Sequence, residues 1–217
     1  FAGGWSSVKL YFMLGLPTET DEDVLGIADL ANKVYHVWRN NTPNRSRGVR
    51  ITVSTSCFVP KSHTPFQWEG QNTQEEYLRK ETLLRENLRN KSITYNWHDP
   101  ETSFLEAVLS RGDRRIADVI EEAWRHGAKF DSWSEYFSLQ TWMDAFAACG
   151  VDPTFYANRL RDREEVFPWT VISDGVTEKF LWREREQAYA GKITPDCREK
   201  CSGCGANRLC EGGICHA

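Results

Sequence analysis

The start of the chain holds the pattern that most limits its fold. Val8 to Leu14, "VKLYFML", is a strand-like run closed by Gly15-Leu16-Pro17, residue types that break regular structure. Thr20 then offers a helix N-cap, and Asp21, Glu22 and Asp23 place negative charge in the first turn, where the helix dipole favours it. Val24, Ile27, Ala28, Ala31, Val34, Tyr35 and Trp38 recur at helical spacing and predict a helix to about Arg39. After the polar loop "NNTPNRSRG", the run "VRITVSTSCFV" is rich in β-branched residues and reads as a second strand. Strand, helix, strand is a βαβ unit, which implies parallel strands joined by a right-handed crossover. A parallel pair cannot stand alone with both faces open. The pattern is that of the back part of a barrel.

After Pro60 the character changes. Thr73 and Glu76 form a capping box ahead of a charged helix, "QEEYLRKETLLRENLRNK", and "SITYNW" follows as a short strand. From Pro100 helical segments dominate: "TSFLEAVLSR", "RRIADVIEEAWRHG" with Gly127 as C-cap, "SEYFSLQTWMDAFAACG" closed by Gly150, and "VTEKFLWREREQAYAG". The expected organisation is α/β over 1–95, a mostly helical extension over 96–192 and a Cys-rich tail over 193–217. The aromatic series Trp124, Phe130, Trp133, Phe137, Trp142 and Phe146 is expected to pack the core of the extension.

The tail, "TPDCREKCSGCGANRLCEGGICHA", carries Cys197, Cys201 and Cys204 as C-x3-C-x2-C, then Cys210 and Cys215. No signal peptide opens the chain and no apolar run approaches a membrane span, which predicts a soluble cytoplasmic protein without a membrane partner. Thiols there are kept reduced, so a metal explains five clustered cysteines better than disulfides do. The isolated Cys57 and Cys149 read as small buried apolar residues. Thiolates suit tetrahedral zinc or an iron–sulfur cluster. Only Cys201-x2-Cys204 resembles a zinc knuckle, whereas three ligands from one short loop and one from beyond is a 4Fe–4S arrangement, so iron–sulfur is favoured with zinc as the alternative. Gly203 and Gly205 let the backbone turn tightly around either metal, and His216 reads as a solvated tail residue. The net charge of −4 gives no global pull toward nucleic acid or an anionic membrane.

Two stretches carry a family resemblance. "KLYFMLGLPTETDEDV" followed by "FVPKSHTPFQW" resembles the later strands of a radical-SAM partial (β/α)6 barrel. The runs "WHDPETSFLEAVLSRGDRRIADVIEEAW", "GAKFDSW" and "GVTEKFL" are similar to the C-terminal region of cobalamin-binding radical-SAM proteins of uncharacterised function. The resemblance implies a longer parent protein, with a cobalamin-binding domain first and the catalytic C-x3-C-x2-C after the first barrel strand. This chain, which begins at Phe1 without Met, is then expected to be its C-terminal fragment, inactive alone and partnered by the missing N-terminal part. Cys197, Cys201 and Cys204 match the catalytic spacing but follow the barrel strands, so they fit a separate tail motif, "TPDC…C…CGxC", matched from Thr194 to Gly205. Resemblance also implies S-adenosylmethionine as cofactor, cobalamin in the parent, and an unknown substrate such as RNA or protein. The alternative is a non-catalytic, metal-stabilised module that binds a partner or relays electrons.

Ligands in α/β folds sit beyond the carboxyl ends of the strands. Gly15 and Pro17 after the first strand and Pro60 after the second are therefore the cofactor-binding candidates, although "LYFMLGLPTE" does not match the usual G-x-I-x-G-x-x-E signature in register. Glu19 reads as a helix-start residue. His63 could face a cavity or make a structural hydrogen bond to a loop carbonyl. His98 with Asp99 could be an acid–base pair, but Asp99 before Pro100 also starts a helix. Arg111, Arg114 and Arg115 with Asp113 could meet a phosphate, though such runs are more often solvated ion pairs.

Overall fold

A computed structural model describes residues 1–42, 45–46 and 48–206. The elements run β1 (Ser7–Leu14), α1 (Asp21–Asn41), β2 (Arg50–Cys57), α2 (Gln74–Asn87), β3 (Ile93–Trp97), α3 (Pro100–Arg111), α4 (Arg115–Arg125), α5 (Leu139–Ala148), α6 (Pro153–Ala157) and α7 (Glu178–Tyr189). The chain divides into two compact units, one of Phe1–Phe58 with Asn72–Phe104, the other of Val59–Gln71 with Leu105–Ala217. The division falls inside α3. No helix among the described residues is long and apolar enough to cross a membrane.

The first unit is mixed α/β. Its sheet has three parallel strands in the order β1-β2-β3 and does not close. Ser7 pairs with Arg50 through to Leu14 with Cys57, and Ile51 pairs with Ile93 through to Thr55 with Trp97. Period-two alternation then decides the faces. Leu10, Phe12, Leu14, Ile51, Val53, Cys57, Ile93 and Tyr95 pack against the helical residues Val24, Ile27, Ala28, Ala31, Tyr77 and Leu84. The helical stripe expected for α1 is the one that packs, with Val34 and Tyr35 partly buried. Thr20 caps it through a reciprocal pair, Asp23 N–H to Thr20 Oγ1 (3.3 Å) and Thr20 N–H to Asp23 Oδ2 (2.9 Å). Thr73 Oγ1 caps α2 by accepting the Glu76 N–H (3.3 Å), but the capping box expected there is only half made, because the Glu76 carboxylate turns to Arg79 (2.8 Å) instead of back to the cap.

The opposite face of the sheet carries Lys9, Tyr11, Met13, Thr52, Ser54, Ser56, Thr94 and Asn96. Tyr11 is 72% exposed and Met13 42%, and Thr94 and Asn96 are exposed as well. Small hydroxyl side chains here forgo the burial that parallel sheets normally seek on both faces.

In the second unit α4 and α5 pack through Ile116, Val119, Ala123, Trp142, Ala145 and Phe146. A separate cluster joins Trp68, Phe167, Trp169 and Leu181, with Phe167 and Trp169 stacked at 4.7 Å between centroids. Segment 59–71 is held by backbone bonds from Gln71 N–H to Ala157 O and from Arg161 N–H to Trp68 O, both 2.8 Å. At Gly70 a Cβ would lie 2.1 Å from the Asn158 carbonyl oxygen, so only glycine lets these backbones approach.

Two expectations are corrected. The helix read from "SEYFSLQTWMDAFAACG" begins only at Leu139, because Ser138 is its cap, accepting the Thr141 N–H. The aromatic series is only partly core: Trp142 and Phe146 are buried, but Trp124, Phe130 and Trp133 are 62%, 70% and 61% exposed. Between Gly127 and Leu139 the backbone makes successive turns with Phe130 at φ 58°, so these rings share no helical face. The short α6 was not anticipated, although Asp152 as cap and Pro153 in its first turn are ordinary start signals.

Two glycines of the first unit should respond to alanine with opposite sign. Gly15 has φ 86° and its Cβ would lie 2.7 Å from the Tyr77 ring, so Gly15→Ala should destabilise by about 2–4 kcal/mol in urea unfolding. Gly26, inside α1 with nothing near its Cβ position, should gain about 1 kcal/mol as Gly26→Ala.

Candidate functional site

The carboxyl ends of β1 and β2 form the most constrained site of the first unit. Gly15 swings the chain off β1 in the left-handed region, and Thr18 follows at φ 67°. This turn is closed by Glu19, whose Oε1 accepts the Gly15 N–H (2.9 Å) and the Lys80 ammonium (2.7 Å). Both partners are nearly out of water, with side chains 8% and 5% exposed. Glu19 is thus a turn lock rather than the helix-start residue expected for it. Both of these bonds fall on the one oxygen, Oε1, which ties the turn to α2. Tyr77 packs on Gly15 and donates its hydroxyl to the Phe58 carbonyl oxygen (2.8 Å), while Phe58 N–H bonds Leu14 O (2.8 Å). Burial pushes the Tyr77 phenol far up, so it stays a neutral donor. Pro17 lies in the turn, half-buried, and Pro60 is buried in the second unit.

Beneath the sheet lies a titratable group that sequence reading missed. Glu81 of α2 is 1% exposed, and its Oε2 has no hydrogen-bond partner among the described residues. Burial pushes its carboxyl up to about 7, against the pull of Arg85 and with the added push of Asp99. Nearby, Tyr95 Oη and Thr55 Oγ1 share a hydrogen bond (2.8 Å), and burial pushes the Tyr95 phenol up to about 12. A signal existed: Lys80 and Glu81 sit on the same stripe of α2 as Tyr77 and Leu84, a place for apolar side chains.

His98 and Asp99 do not form an acid–base pair. The imidazole Nδ1 meets Ser103 Oγ (2.8 Å), and Asp99 Oδ1 accepts the Glu101 N–H (2.7 Å) as the start of α3.

In the second unit, the basic run separates. Arg111 is completely buried, donating to Ala157 O (3.2 Å) and Gln67 O (3.3 Å), which removes it from any surface phosphate site. Burial, with Arg161 and Arg159 beside it, pushes it down to about 9, still a cation at neutral pH. Arg115 closes on Asp113 (2.6 Å), and Arg114 is exposed. His63 faces a cavity of about 200 Å³ that Trp169 and Asp174 also line. Its Nδ1 lies 3.8 Å from Asp174 Oδ2, and its backbone, at φ 56°, donates to Gln67 Oε1 (3.0 Å).

The tail is tethered to α7. Thr177 N–H bonds Cys204 O (2.8 Å) and Arg183 donates to Ser202 O (2.6 Å). Cys197 and Cys201 are exposed and Cys204 is half-buried, none in a disulfide. Among the described residues no three His, Cys, Asp or Glu side chains converge as metal ligands. Cys210, Cys215 and His216 lie outside the described residues.

Comparison with known proteins finds a 28% identity over 118 residues with "Uncharacterized protein MJ0966" of Methanocaldococcus jannaschii, covering 54% of this chain and 24% of that protein. The chain thus spans about a quarter of the length of the curated relative it matches. No family model matches the chain, and no solved structure does.

Two measurements test the site. Lys80→Met strands the Glu19 charge and should cost about 3–5 kcal/mol, with the Lys80→Met/Glu19→Gln pair costing clearly less than the two single changes together. Glu81 binds its proton more tightly folded, at about 7, than at its ordinary 4.5. Its contribution is therefore complete below the ordinary value and lost as pH rises through about 7, a fall of roughly 3 kcal/mol. Urea midpoints between pH 5 and pH 8 should show this decline, and Glu81→Gln should flatten it.

Proposed function

We propose that this chain is the C-terminal part of a radical S-adenosylmethionine enzyme, inactive without the preceding part of the barrel. The observation that carries the reading is the three-stranded parallel sheet with helices on one face and, on the other, an uncovered face of small hydroxyl side chains with Tyr11 and Met13. A wall of a (β/α) barrel has this layering, with helices on the outer face alone. A complete barrel packs its interior with branched apolar side chains, so the small hydroxyl side chains on the uncovered face fit a partial barrel that opens on a ligand. The open β1 edge then continues into earlier strands supplied by the missing part.

Within that frame the turn after β1 has a defined task. Lys80 and Glu19 hold Gly15 and Pro17 in place at the carboxyl ends of the strands, where adenosine of S-adenosylmethionine would lie, with Pro60 shaping the exit from β2. The small side chains Ser54 and Ser56 leave room above the sheet. The parent's own cluster would supply the electron for reductive cleavage of S-adenosylmethionine; a cobalamin domain upstream would permit methyl transfer to an RNA or protein substrate.

The tail is proposed to hold a second, auxiliary iron–sulfur cluster, with zinc as the alternative metal. Cys197, Cys201 and Cys204 together with Cys210 and Cys215 form a donor set of soft thiolates, which fits either metal in chemistry. The exposed Cys197 and Cys201 leave the tail accessible for loading.

The test is anaerobic reconstitution of the 217-residue chain, read by metal content and S-adenosylmethionine turnover. About four irons and four sulfides per chain are expected, lost in Cys201→Ser, with no 5′-deoxyadenosine formed. One zinc per chain without sulfide would make the tail a structural clamp instead. Steady 5′-deoxyadenosine production by this chain would overturn the assignment of the catalytic cluster to the missing part.

A further inference from the structure

Along the start of α7 the second unit carries a groove of about 410 Å³, formed chiefly by Arg163, Lys179, Phe180, Trp182, Arg183 and Glu186. Its size suits a ligand of a few rings rather than a bare ion. Three of the six side chains are cations, in a chain whose net charge is −4, so the concentration is local. Among the described residues neither Lys179 nor Arg163 has a carboxylate within ion-pairing distance. The one carboxylate, Glu186, is committed to the indole: its Oε1 accepts the Trp182 Nε1–H at 2.9 Å.

The aromatic wall is arranged with those cations. Arg163 lies over the Trp182 ring at 5.2 Å and Arg183 over Phe180 at 4.8 Å. A guanidinium held against a ring can still fork phosphate oxygens with its N–H groups, and Arg163, without an ion pair among the described residues, has them to offer. Arg183 is committed elsewhere: its Nε and Nη2 donate to Glu184 Oε1 (3.4 and 3.3 Å) and its Nη2 to Ser202 O in the Cys-bearing tail (2.6 Å). It serves as a fixed flat surface and leaves Arg163 and Lys179 as the groove's cations without an ion pair among the described residues. Flat aromatic and guanidinium surfaces on the same wall offer a platform on which a base can stack.

We propose that this groove binds a nucleoside phosphate, free or as one residue of single-stranded RNA. Arg163 and Lys179 hold the phosphate, and the base lies against Phe180 and the guanidinium planes. An acidic peptide would use the cations and leave the aromatic wall idle. Nothing in this recognition depends on radical chemistry elsewhere in the parent, so the two readings fail separately.

The experiment is fluorescence anisotropy of a labelled short oligouridylate with the full 217-residue chain. Arg163→Ala/Lys179→Ala should weaken binding at least about tenfold and flatten the dependence of log K on log salt by about 0.7 per cation removed. Lys129→Ala, which removes an exposed charge outside the groove, should leave affinity within about twofold. Displacement by uridine monophosphate would identify free nucleotides as ligands too; displacement by unlabelled RNA alone would restrict the ligand to RNA, and either supports the site. Absence of binding by both, equal loss in Lys129→Ala, or equal displacement by polyglutamate would overturn it. Circular dichroism of the variants, whose altered side chains are exposed, separates loss of binding from loss of fold.

Discussion

One buried ammonium organises the first unit. Lys80 projects from α2 into a region that water scarcely reaches, and an isolated charge there would be prohibitive. Its nearest counter-charge, with Glu76 of its own helix farther off (3.7 Å), is Glu19, on the turn that leaves β1 (2.7 Å). Because the same carboxylate oxygen also accepts the Gly15 N–H, the left-handed bend at Gly15, the position of α2 and the mouth of the sheet are determined together. Tyr77, one turn earlier on α2, completes the lock by filling the space that a side chain at Gly15 would need. A loop of this kind is rigid where loops usually are not, which matters if a cofactor is to be held at its rim.

How much of this was legible depends on the range of the interaction. Periodicity and caps are local, and they gave β1, α1, β2 and β3 within a residue or two, because the same residues that set the pattern also make the core. Parallel pairing followed from the βαβ order. The roles of Glu19 and Lys80 were hidden because they are partners 61 residues apart, and that of Glu81 because it comes from burial under the sheet; only the misplacement of two charges on an apolar stripe hinted at them. Arg111 was misread for a related reason. A run of arginines looks like a solvated surface until residues 67 and 157 present their carbonyls to one of them. The exposed Phe130 and Trp133 failed in the other direction, since spacing alone assumed a helix that the turns between Gly127 and Leu139 do not make.

The cysteine tail is where sequence speaks most and structure least. Five thiols within nineteen residues demand a chemical explanation, whereas of the three among the described residues Cys197 and Cys201 are exposed, Cys204 is half-buried, and the three share no common focus. What the structure adds is the tail's attachment. The Arg183 guanidinium, donating to Ser202 O, and the Thr177 N–H, donating to Cys204 O, fasten the tail to the start of α7, beside the basic groove. Any change in the tail's ligation thus acts on the element that carries Arg183.

The first unit is built from two pieces of chain, with segment 59–71 detoured into the second. During synthesis the chain emerges in order, so the first unit can close once Phe104 has left the ribosome. At that moment the detour hangs as an unfilled loop bearing Trp68 and Gln67, both nearly free of solvent in the finished fold. A further 63 residues must be made after Phe104 before Phe167 arrives, and 77 before Leu181, to cover them. The nascent chain therefore passes through a stage with one finished unit and an exposed tryptophan loop, the stage at which a chaperone would have something to hold.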